Sequence, residues 1–200
     1  MKKILLVTDG IFHPPYTARM ELNKTLGKLE DFSFDHIRSM ERLPMDLEHY
    51  SALVLYFHHK EISASALEAL KRFVTNGGGV LAIHSATASF KQTKEYFEIL
   101  GGRFTGHGAV ETIQVKGKRS EIFGHIGNLV IKDELYLHEL EPGIVVHFTA
   151  KHAGQDVPVV WTYCYGKGKV CYAVPGHTTK TMRSPAYQEI LLRGLRWVSE

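Results

Sequence analysis

Cysteine, long apolar runs and clusters of one charge are all scarce in this sequence. Cys164 and Cys171 are the only cysteines among 200 residues, and in a cytoplasmic chain two cysteines are more often reduced than bridged. No apolar run approaches the length of a membrane span, and MKKILLVTDG is apolar for only a few positions, so we expect neither a membrane segment nor a signal peptide. The net charge of +3 is spread over interspersed charges, which argues against a nucleic-acid partner. These absences predict a cytoplasmic protein.

Linkers and internal repeats are lacking as well. No stretch rich in proline, glycine and serine divides the chain, and a composition of 44% hydrophobic and 22% charged residues is ordinary for a globular protein. We therefore expect residues 1–200 to form a single domain.

The first half alternates short apolar runs with helical patterns. Strands are predicted at KKILLVTDG, FSFDHIRS, SALVLYFHH and VLAIH. Helices are predicted at YTARMELNKTLGKLE and SASALEALKRFVTNGGG, the second capped by Ser63 and ended by Gly77 to Gly79. This rhythm predicts an α/β fold with three layers, α/β/α, around a mostly parallel central sheet.

The second half contains more strands than helices. Five segments are predicted to extend the same sheet: AVETIQVKG, GNLVIKDELYLH, GIVVHFTAKH, VPVVWTYCY and KVCYAVPGH. Helices are predicted around TKEYFEILGG and over PAYQEILLRGLRWVSE. The string CYGKGKVC is symmetric about Lys167 and Gly168, so a two-residue hairpin turn there would place Cys164 opposite Cys171.

Twelve histidines are the unusual feature of the composition, and five of them follow predicted strands. His13 comes after the first strand, His58 and His59 after the third, His84 ends the fourth and His177 follows the last. In open parallel sheets, ligands bind beyond the carboxyl ends of the strands, because the loops converge there. We therefore expect these imidazoles to gather at one edge of the sheet, although an ordinary surface or core histidine is the alternative for each.

His84 stands where a buried strand meets small residues. AIHSA is similar to a nucleophile elbow, a sharp turn from strand to helix that raises one side chain above the sheet, and Ser85 and Ala86 are small enough to permit it. The start of such a helix would also offer free N–H groups to an anionic atom. Since histidine forms no stable acyl-enzyme, the roles open to it are general base, general acid or metal ligand, or a simple hydrogen bond within the turn.

Six short strings occur in order along the chain: IFHPP, GGGVLAIHSA, GGRFTGHG, KDELY, PVVW and GKGKVCYAVPGH. Together they resemble the trehalose-utilisation (ThuA-like) family, and the resemblance spans almost the whole chain. It implies one ThuA-like domain over residues 1–200 and a fold similar to class I glutamine amidotransferases, which is also flavodoxin-like.

The chain departs from the related amidotransferases at the elbow itself. Those enzymes have a nucleophilic cysteine there and a histidine later in the chain, whereas this sequence has His84 at the elbow and His177 about where the later histidine falls. Its cysteines, Cys164 and Cys171, are far from the elbow in sequence. Glutamine hydrolysis through a thioester is therefore excluded.

The resemblance also implies a substrate class, since ThuA-like proteins are linked to the metabolism of glycosides oxidised at carbon three. A ketone acidifies the neighbouring C–H bonds, and proton removal there needs a base and an electrophile that holds the enolate oxygen. We expect His84, His177 and Glu134 to be catalytic, Glu134 on the strength of the resemblance alone. The electrophile would be a divalent zinc, manganese or iron ion, and no nucleotide cofactor is indicated.

The remaining site assignments are expectations of the same kind. The expected metal ligands are His13, His84, His107 and His177. The expected carbohydrate-binding residues are Asp9, His13, His58, His59, Ser85, Tyr136 and Trp161. Their spacing is no recognised metal signature, and His107 stands between glycines as an ordinary turn residue can. For Trp161 the alternative role is to fill the core. Alternation along KDELYLHEL predicts that one of Asp133 and Glu134 faces solvent.

Two classes of function therefore stay open. The first is an isomerase or lyase acting on a keto-sugar or its glycoside, in which histidines and Glu134 line one pocket. The second is a non-catalytic sugar-binding or regulatory module, in which aromatic and amide side chains dominate the pocket. In both cases the partner is a small carbohydrate, and an exposed strand edge in the second half would allow a homo-oligomer.

Overall fold

The computed structural model describes residues 1–9, 14 and 16–200. Within them the strands are β1 (Lys2–Thr8), β2 (Phe32–Ile37), β3 (Ala52–Tyr56), β4 (Gly79–Ile83), β5 (Gly102–His107), β6 (Glu111–Gly117), β7 (Leu129–Asp133), β8 (Tyr136–Leu140), β9 (Val145–His152), β10 (Gln155–Tyr165) and β11 (Gly168–Ala173). The α-helices are α1 (Tyr16–Leu26), α2 (Ala64–Thr75), α3 (Lys94–Leu100), α4 (Thr179–Met182) and α5 (Pro185–Val198).

The fold is mixed α/β with one large sheet. Nine strands lie in the order β2-β1-β3-β4-β11-β10-β9-β6-β7. The pairings from β2 to β11 are parallel, and those from β11 to β7 are antiparallel. A separate two-stranded antiparallel sheet pairs β5 with β8. The predicted parallel strands of the first half and their extension by strands of the second half are confirmed.

The hydrophobic pattern of each strand follows from how it is covered. Every residue of β3 and β4 is buried, which is why both strands are continuous apolar runs. In contrast β7 alternates buried and exposed residues, as a strand with one wet face does. Helix α5 packs against β3, β4 and β11, and helices α2 and α3 contact each other and β11. The three-layer arrangement itself stays a prediction. No helix in the described ranges is long and apolar enough to cross a membrane.

The structure corrects one predicted strand of the second half. GNLVIKDELYLH is divided after Asp133: its first part forms the edge strand β7, and its second part forms β8 in the small sheet. The partner of β8 is β5, which ends at His107, where the glycines on either side indicate no more than a turn. A shift of register between Phe104 and Gly106 interrupts that pairing.

The predicted position of Cys164 opposite Cys171 is also wrong, because the β10–β11 turn lies one residue earlier than the symmetry of the sequence indicates. Tyr165 pairs with Gly168, so Cys164 faces Lys169 and Cys171 faces Thr162. Gly166 takes φ +60°, and a Cβ there would lie 2.8 Å from the Cα of Thr75, so glycine is required at this turn position. The two cysteines are not bonded to each other.

A substitution at Gly79 tests how closely α5 approaches the sheet. An added Cβ at this position would lie 1.9 Å from the carbonyl oxygen of Val198, so Gly79→Ala must displace the end of α5. We expect a loss of at least about 3 kcal/mol in unfolding free energy, and a fall in Tm of roughly 6–12 °C. Gly127→Ala is the matched control, because nothing lies within 4 Å of a Cβ there. Thermal unfolding curves that coincide for the two variants would contradict this packing.

Candidate functional site

Three polar side chains converge beyond the carboxyl ends of the large sheet. His84 follows β4, His177 lies in the loop after the neighbouring strand β11, and Glu134 follows β7. Glu134 Oε2 lies 3.4 Å from His177 Nδ1 and 3.6 Å from His84 Nε2. His84 is fully buried, and Glu134 is 8% exposed. We call His84, Glu134 and His177 the convergent triad.

Glu134 comes from a strand that is remote from β11 in the sheet, yet lies close to the segment that follows β11. Three strands separate β7 from β11 in the sheet, so a flat sheet would hold the two strands roughly 19 Å apart. Instead β7 contacts α4, and the Lys132 carbonyl accepts hydrogen bonds from the hydroxyls of Thr178 and Thr181 at 2.6 and 3.0 Å. These bonds attach the edge strand to the segment after β11.

The backbone at His84 forms the predicted sharp turn, without the predicted α-helix after it. His84 has φ +46°, a conformation that costs a residue other than glycine about 1–3 kcal/mol, and a single 3₁₀ turn spans His84–Ala86. The His84 Nδ1–H donates to the Val174 carbonyl at 2.9 Å. Because a carbonyl can only accept, Nδ1 carries the proton and Nε2 faces Glu134.

A buried network holds the strained turn in place. The Tyr172 hydroxyl donates to the His84 carbonyl at 2.8 Å. Thr87 Oγ1 lies 3.3 Å from the same carbonyl, 2.7 Å from the Tyr172 hydroxyl and 2.9 Å from His138 Nε2. Burial lowers the pKa of His138 to about 3, so its ring is neutral in this network. Interlocked bonds of this kind allow a backbone conformation to persist that is unfavourable on its own.

Asp133 and Glu134 both point inward, against the expectation that one of them faces solvent. Asp133 has no exposed surface and Glu134 has little. Alternation stops because β7 ends at Asp133, so the next residue no longer follows the pleat. Glu134 joins the triad, while Asp133 accepts hydrogen bonds from backbone N–H groups of the loop that contains His177.

His107 and Tyr136 form one wall of the site. His107 Nδ1 lies 3.8 Å from Glu134 Oε1 and donates to the Gly108 carbonyl at 2.8 Å. The Tyr136 ring centroid lies 4.2 Å from that of His84 and 5.2 Å from that of His107. Burial raises the pKa of Tyr136 well above its usual value, so its hydroxyl stays protonated.

Asp9 and His59 form a second polar pair at the same edge of the sheet. Asp9 Oδ2 lies 3.3 Å from His59 Nε2. The His59 N–H donates to Ser89 Oγ at 3.1 Å, and that hydroxyl donates to the Ser85 carbonyl at 3.0 Å, so the pair is attached to the segment after His84. Burial, with a smaller effect of the Lys91 ammonium, lowers the pKa of the neighbouring His58.

The other expected site residues have different positions. His13 lies outside the described residues. Ser85 Oγ is buried and has no hydrogen-bond partner among the described residues. Trp161 has no exposed surface and its Nε1–H donates to the Leu100 carbonyl at 3.2 Å. The structure thus places Trp161 in the core, which is the alternative raised from the sequence.

Sequence reasoning missed the residues that hold the site together. Tyr172, Thr87 and His138 were given no role from the sequence, although Tyr172 lies within GKGKVCYAVPGH and His138 within KDELYLHEL. The signal that could have found them is the polar residue inside an otherwise buried strand or turn, since such a group must find a hydrogen-bond partner.

The convergent triad has the geometry of a site for a divalent metal ion. Its three ligand atoms lie within 4.8 Å of one another. Ligand atoms at about 2.1 Å from a tetrahedral ion are separated by roughly 3.4 Å, close to the 3.4 and 3.6 Å seen between Glu134 and the two imidazoles. His107 Nδ1 donates a hydrogen bond to the Gly108 carbonyl. The set of ligand atoms that fits an ion therefore contains the Glu134 carboxylate in place of the expected His107.

The fold and the site together define a class of protein. It is a mixed α/β protein with imidazole and carboxylate side chains beyond the ends of its parallel strands. The family model for ThuA, trehalose utilisation, matches residues 3–198, and the chain therefore belongs to this family. The resemblance seen in the sequence is confirmed. No curated protein sequence matches the chain.

Solved structures share the fold at low sequence identity. A ThuA-like protein from Parabacteroides merdae matches with a TM-score of 0.85 and 22% identity, over 99% of this chain and 90% of that one. A protein from Salmonella typhimurium LT2 described as cytoplasmic matches with a TM-score of 0.76 and 14% identity, over 100% of both chains. A β-galactosidase from Rahnella sp. R3 matches with a TM-score of 0.71 and 15% identity, over 99% of this chain but 32% of that enzyme.

Removal of the Tyr172 hydroxyl tests the network beneath His84. Tyr172→Phe removes the 2.8 Å hydrogen bond to the His84 carbonyl and the 2.7 Å one to Thr87 Oγ1, so we expect a loss of about 1–3 kcal/mol in unfolding free energy. The control is Tyr16→Phe, because Tyr16 is 59% exposed and should change stability by less than about 0.5 kcal/mol. Urea denaturation measures both, and equal midpoints would show that the network contributes nothing.

Proposed function

We propose that this protein acts in carbohydrate metabolism by moving a proton next to the carbonyl of a keto-sugar or 3-keto-glycoside, which results in isomerisation or elimination. The observation that carries the proposal is the Glu134 carboxylate held between two imidazoles at the carboxyl edge of the sheet. The family provides the link to carbohydrate, since its model is that of trehalose utilisation. On the same terms we propose a cytoplasmic location, because a structural neighbour is described as cytoplasmic.

The convergent triad fits a divalent ion of the zinc, manganese or iron type. His84 Nε2, His177 Nδ1 and Glu134 Oε2 would hold it, which leaves a further position for substrate oxygen, as in catalytic sites with three protein ligands. When bound there, such an ion would supply Lewis-acid polarisation of the substrate carbonyl. His84 suits a fixed ligand because its other nitrogen is bonded to the Val174 carbonyl.

Proton transfer then falls to groups that a substrate can reach. Glu134 Oε1 faces the rim of the site, 3.8 Å from His107 Nδ1. The His107 side chain is 40% exposed, whereas that of His84 has no exposed surface. We therefore assign proton transfer to Glu134 Oε1 and the His107 imidazole, and the holding of the ion to the triad.

A sugar-binding module without chemistry is the weaker alternative. Recognition alone needs aromatic faces and groups that bind hydroxyls, and Tyr136 and Phe104 would meet part of that need with ring centroids 4.7 Å apart. Sugar binding alone does not explain why a carboxylate is buried between two imidazoles. Removing a charged group from water is costly unless the group has a partner or a function.

Metal content is the first test of the proposal. Protein expressed in medium that contains zinc, manganese and iron should retain one divalent ion per chain by elemental analysis. Glu134→Gln and His84→Ala should each lower the retained metal by more than about tenfold. The matched control is His152→Ala, because His152 is exposed at the end of β9. Wild-type protein that binds none of these ions would remove the metal from the proposal.

Hydrogen exchange on the substrate tests the chemistry directly. In D₂O, wild-type protein should exchange the hydrogen on a carbon next to the ketone of a 3-keto-glycoside, as followed by proton NMR. Glu134→Gln should slow this exchange by about 10²- to 10⁴-fold, the usual contribution of a positioned acid or base. His152→Ala should exchange at the wild-type rate. Equal rates for wild type and Glu134→Gln would contradict the enzyme proposal and favour the binding module.

A further inference from the structure

We propose that Asp133 is a positioning residue that aims His177 at the metal site, through the backbone of the loop in which His177 lies. This inference rests on the proposed function, because it names the convergent triad as the site whose geometry Asp133 controls. The Asp133 carboxylate bonds the backbone N–H groups of His177 and Glu134, so its effect on the site would pass through those two residues.

The Asp133 carboxylate accepts hydrogen bonds from backbone N–H groups of two segments. Oδ1 accepts from the N–H of Glu134 at 3.0 Å, of Gly176 at 3.2 Å and of His177 at 3.0 Å. Oδ2 accepts from the N–H of Thr178 at 3.2 Å. Two of these four N–H groups belong to triad residues themselves, so one carboxylate fixes the backbone on both sides of the site.

The loop leaves His177 little freedom once it is bound in this way. Gly176 has φ +155°, and a Cβ there would lie 2.8 Å from the Cβ of His84, so the loop packs directly on the elbow. The hydroxyls of Tyr56 and Tyr187 donate to the Gly176 and Pro175 carbonyls. The N–H side of the loop is therefore held by Asp133 and the carbonyl side by two buried tyrosines.

Stability alone does not require this arrangement. A loop that follows a strand can usually bond its N–H groups to water, whereas here three successive N–H groups point to one buried carboxylate. The carboxylate comes from the residue next to Glu134, on a strand that is remote from β11 in the sheet. This connection sets the distance between Glu134 and His177, which is the quantity that a metal site needs to control.

Two substitutions of graded severity test the inference. Asp133→Asn keeps one acceptor oxygen and loses the other, and Asp133→Ala loses both. We expect Co²⁺ affinity to fall about tenfold in the first and up to about 100-fold in the second, the range typical of residues that orient metal ligands. The absorption bands of bound Co²⁺ should shift in both. Asp46→Asn is the control, because exposed Asp46 likewise accepts a backbone N–H, from Glu48 at 2.9 Å.

Amide hydrogen exchange on metal-free protein provides a readout that needs no metal. Gly176, His177 and Thr178 should exchange faster in both Asp133 variants, with circular dichroism unchanged. If Asp133→Ala does not fold, Asp133→Asn still tests the inference. Faster exchange without any change in Co²⁺ affinity or spectrum would overturn it, as would unchanged exchange. If wild type binds no Co²⁺, the proposed metal site fails and this inference fails with it, whereas equal Co²⁺ binding by wild type and both variants overturns the inference alone.

Discussion

A carboxylate taken out of water must be surrounded by donors, and Asp133 meets that requirement with backbone N–H groups from both segments that carry the site. Burial raises the pKa of this carboxyl group, and the N–H groups oppose the rise. Three of the four hydrogen bonds that compensate for desolvation, those from Gly176, His177 and Thr178, also attach the end of β7 to the loop after β11. The convergent triad depends on this attachment, because its carboxylate and one of its imidazoles come from strands that are not neighbours in the sheet.

The remaining imidazole depends on a different kind of constraint. His84 has an unfavourable backbone conformation at the end of a strand that is buried throughout. The carbonyl of His84 is bonded to Tyr172 from the neighbouring strand β11, and its ring is bonded to the backbone just after that strand. The parallel pair β4 and β11 therefore fixes both the backbone and the tautomer of His84, while the antiparallel half of the sheet contributes the charge that faces it.

Much of this could be predicted from the sequence. The runs VLAIH and KVCYAVPGH indicate strands whose carboxyl ends present His84 and His177, and parallel sheets bring such ends together. What the sequence could not show is where alternation stops. The single-strand prediction over GNLVIKDELYLH missed the break after Asp133, because a chain that leaves one sheet for another keeps its apolar pattern. The predicted hairpin register was wrong because the symmetry of CYGKGKVC does not show which residues turn, and the observed pairing of Tyr165 with Gly168 places the turn at Gly166 and Lys167.

The attachment of β7 affects how the protein unfolds locally. In most sheets the edge strand is the part that unfolds locally at low free energy, without effect on the rest. Here β7 is bonded through Lys132 and Asp133 to the segment that follows a central strand. Fraying of that edge would separate Glu134 from both imidazoles at once. The site therefore exists only while the antiparallel strands remain paired. Loss of the site would accompany local unfolding of this half of the sheet.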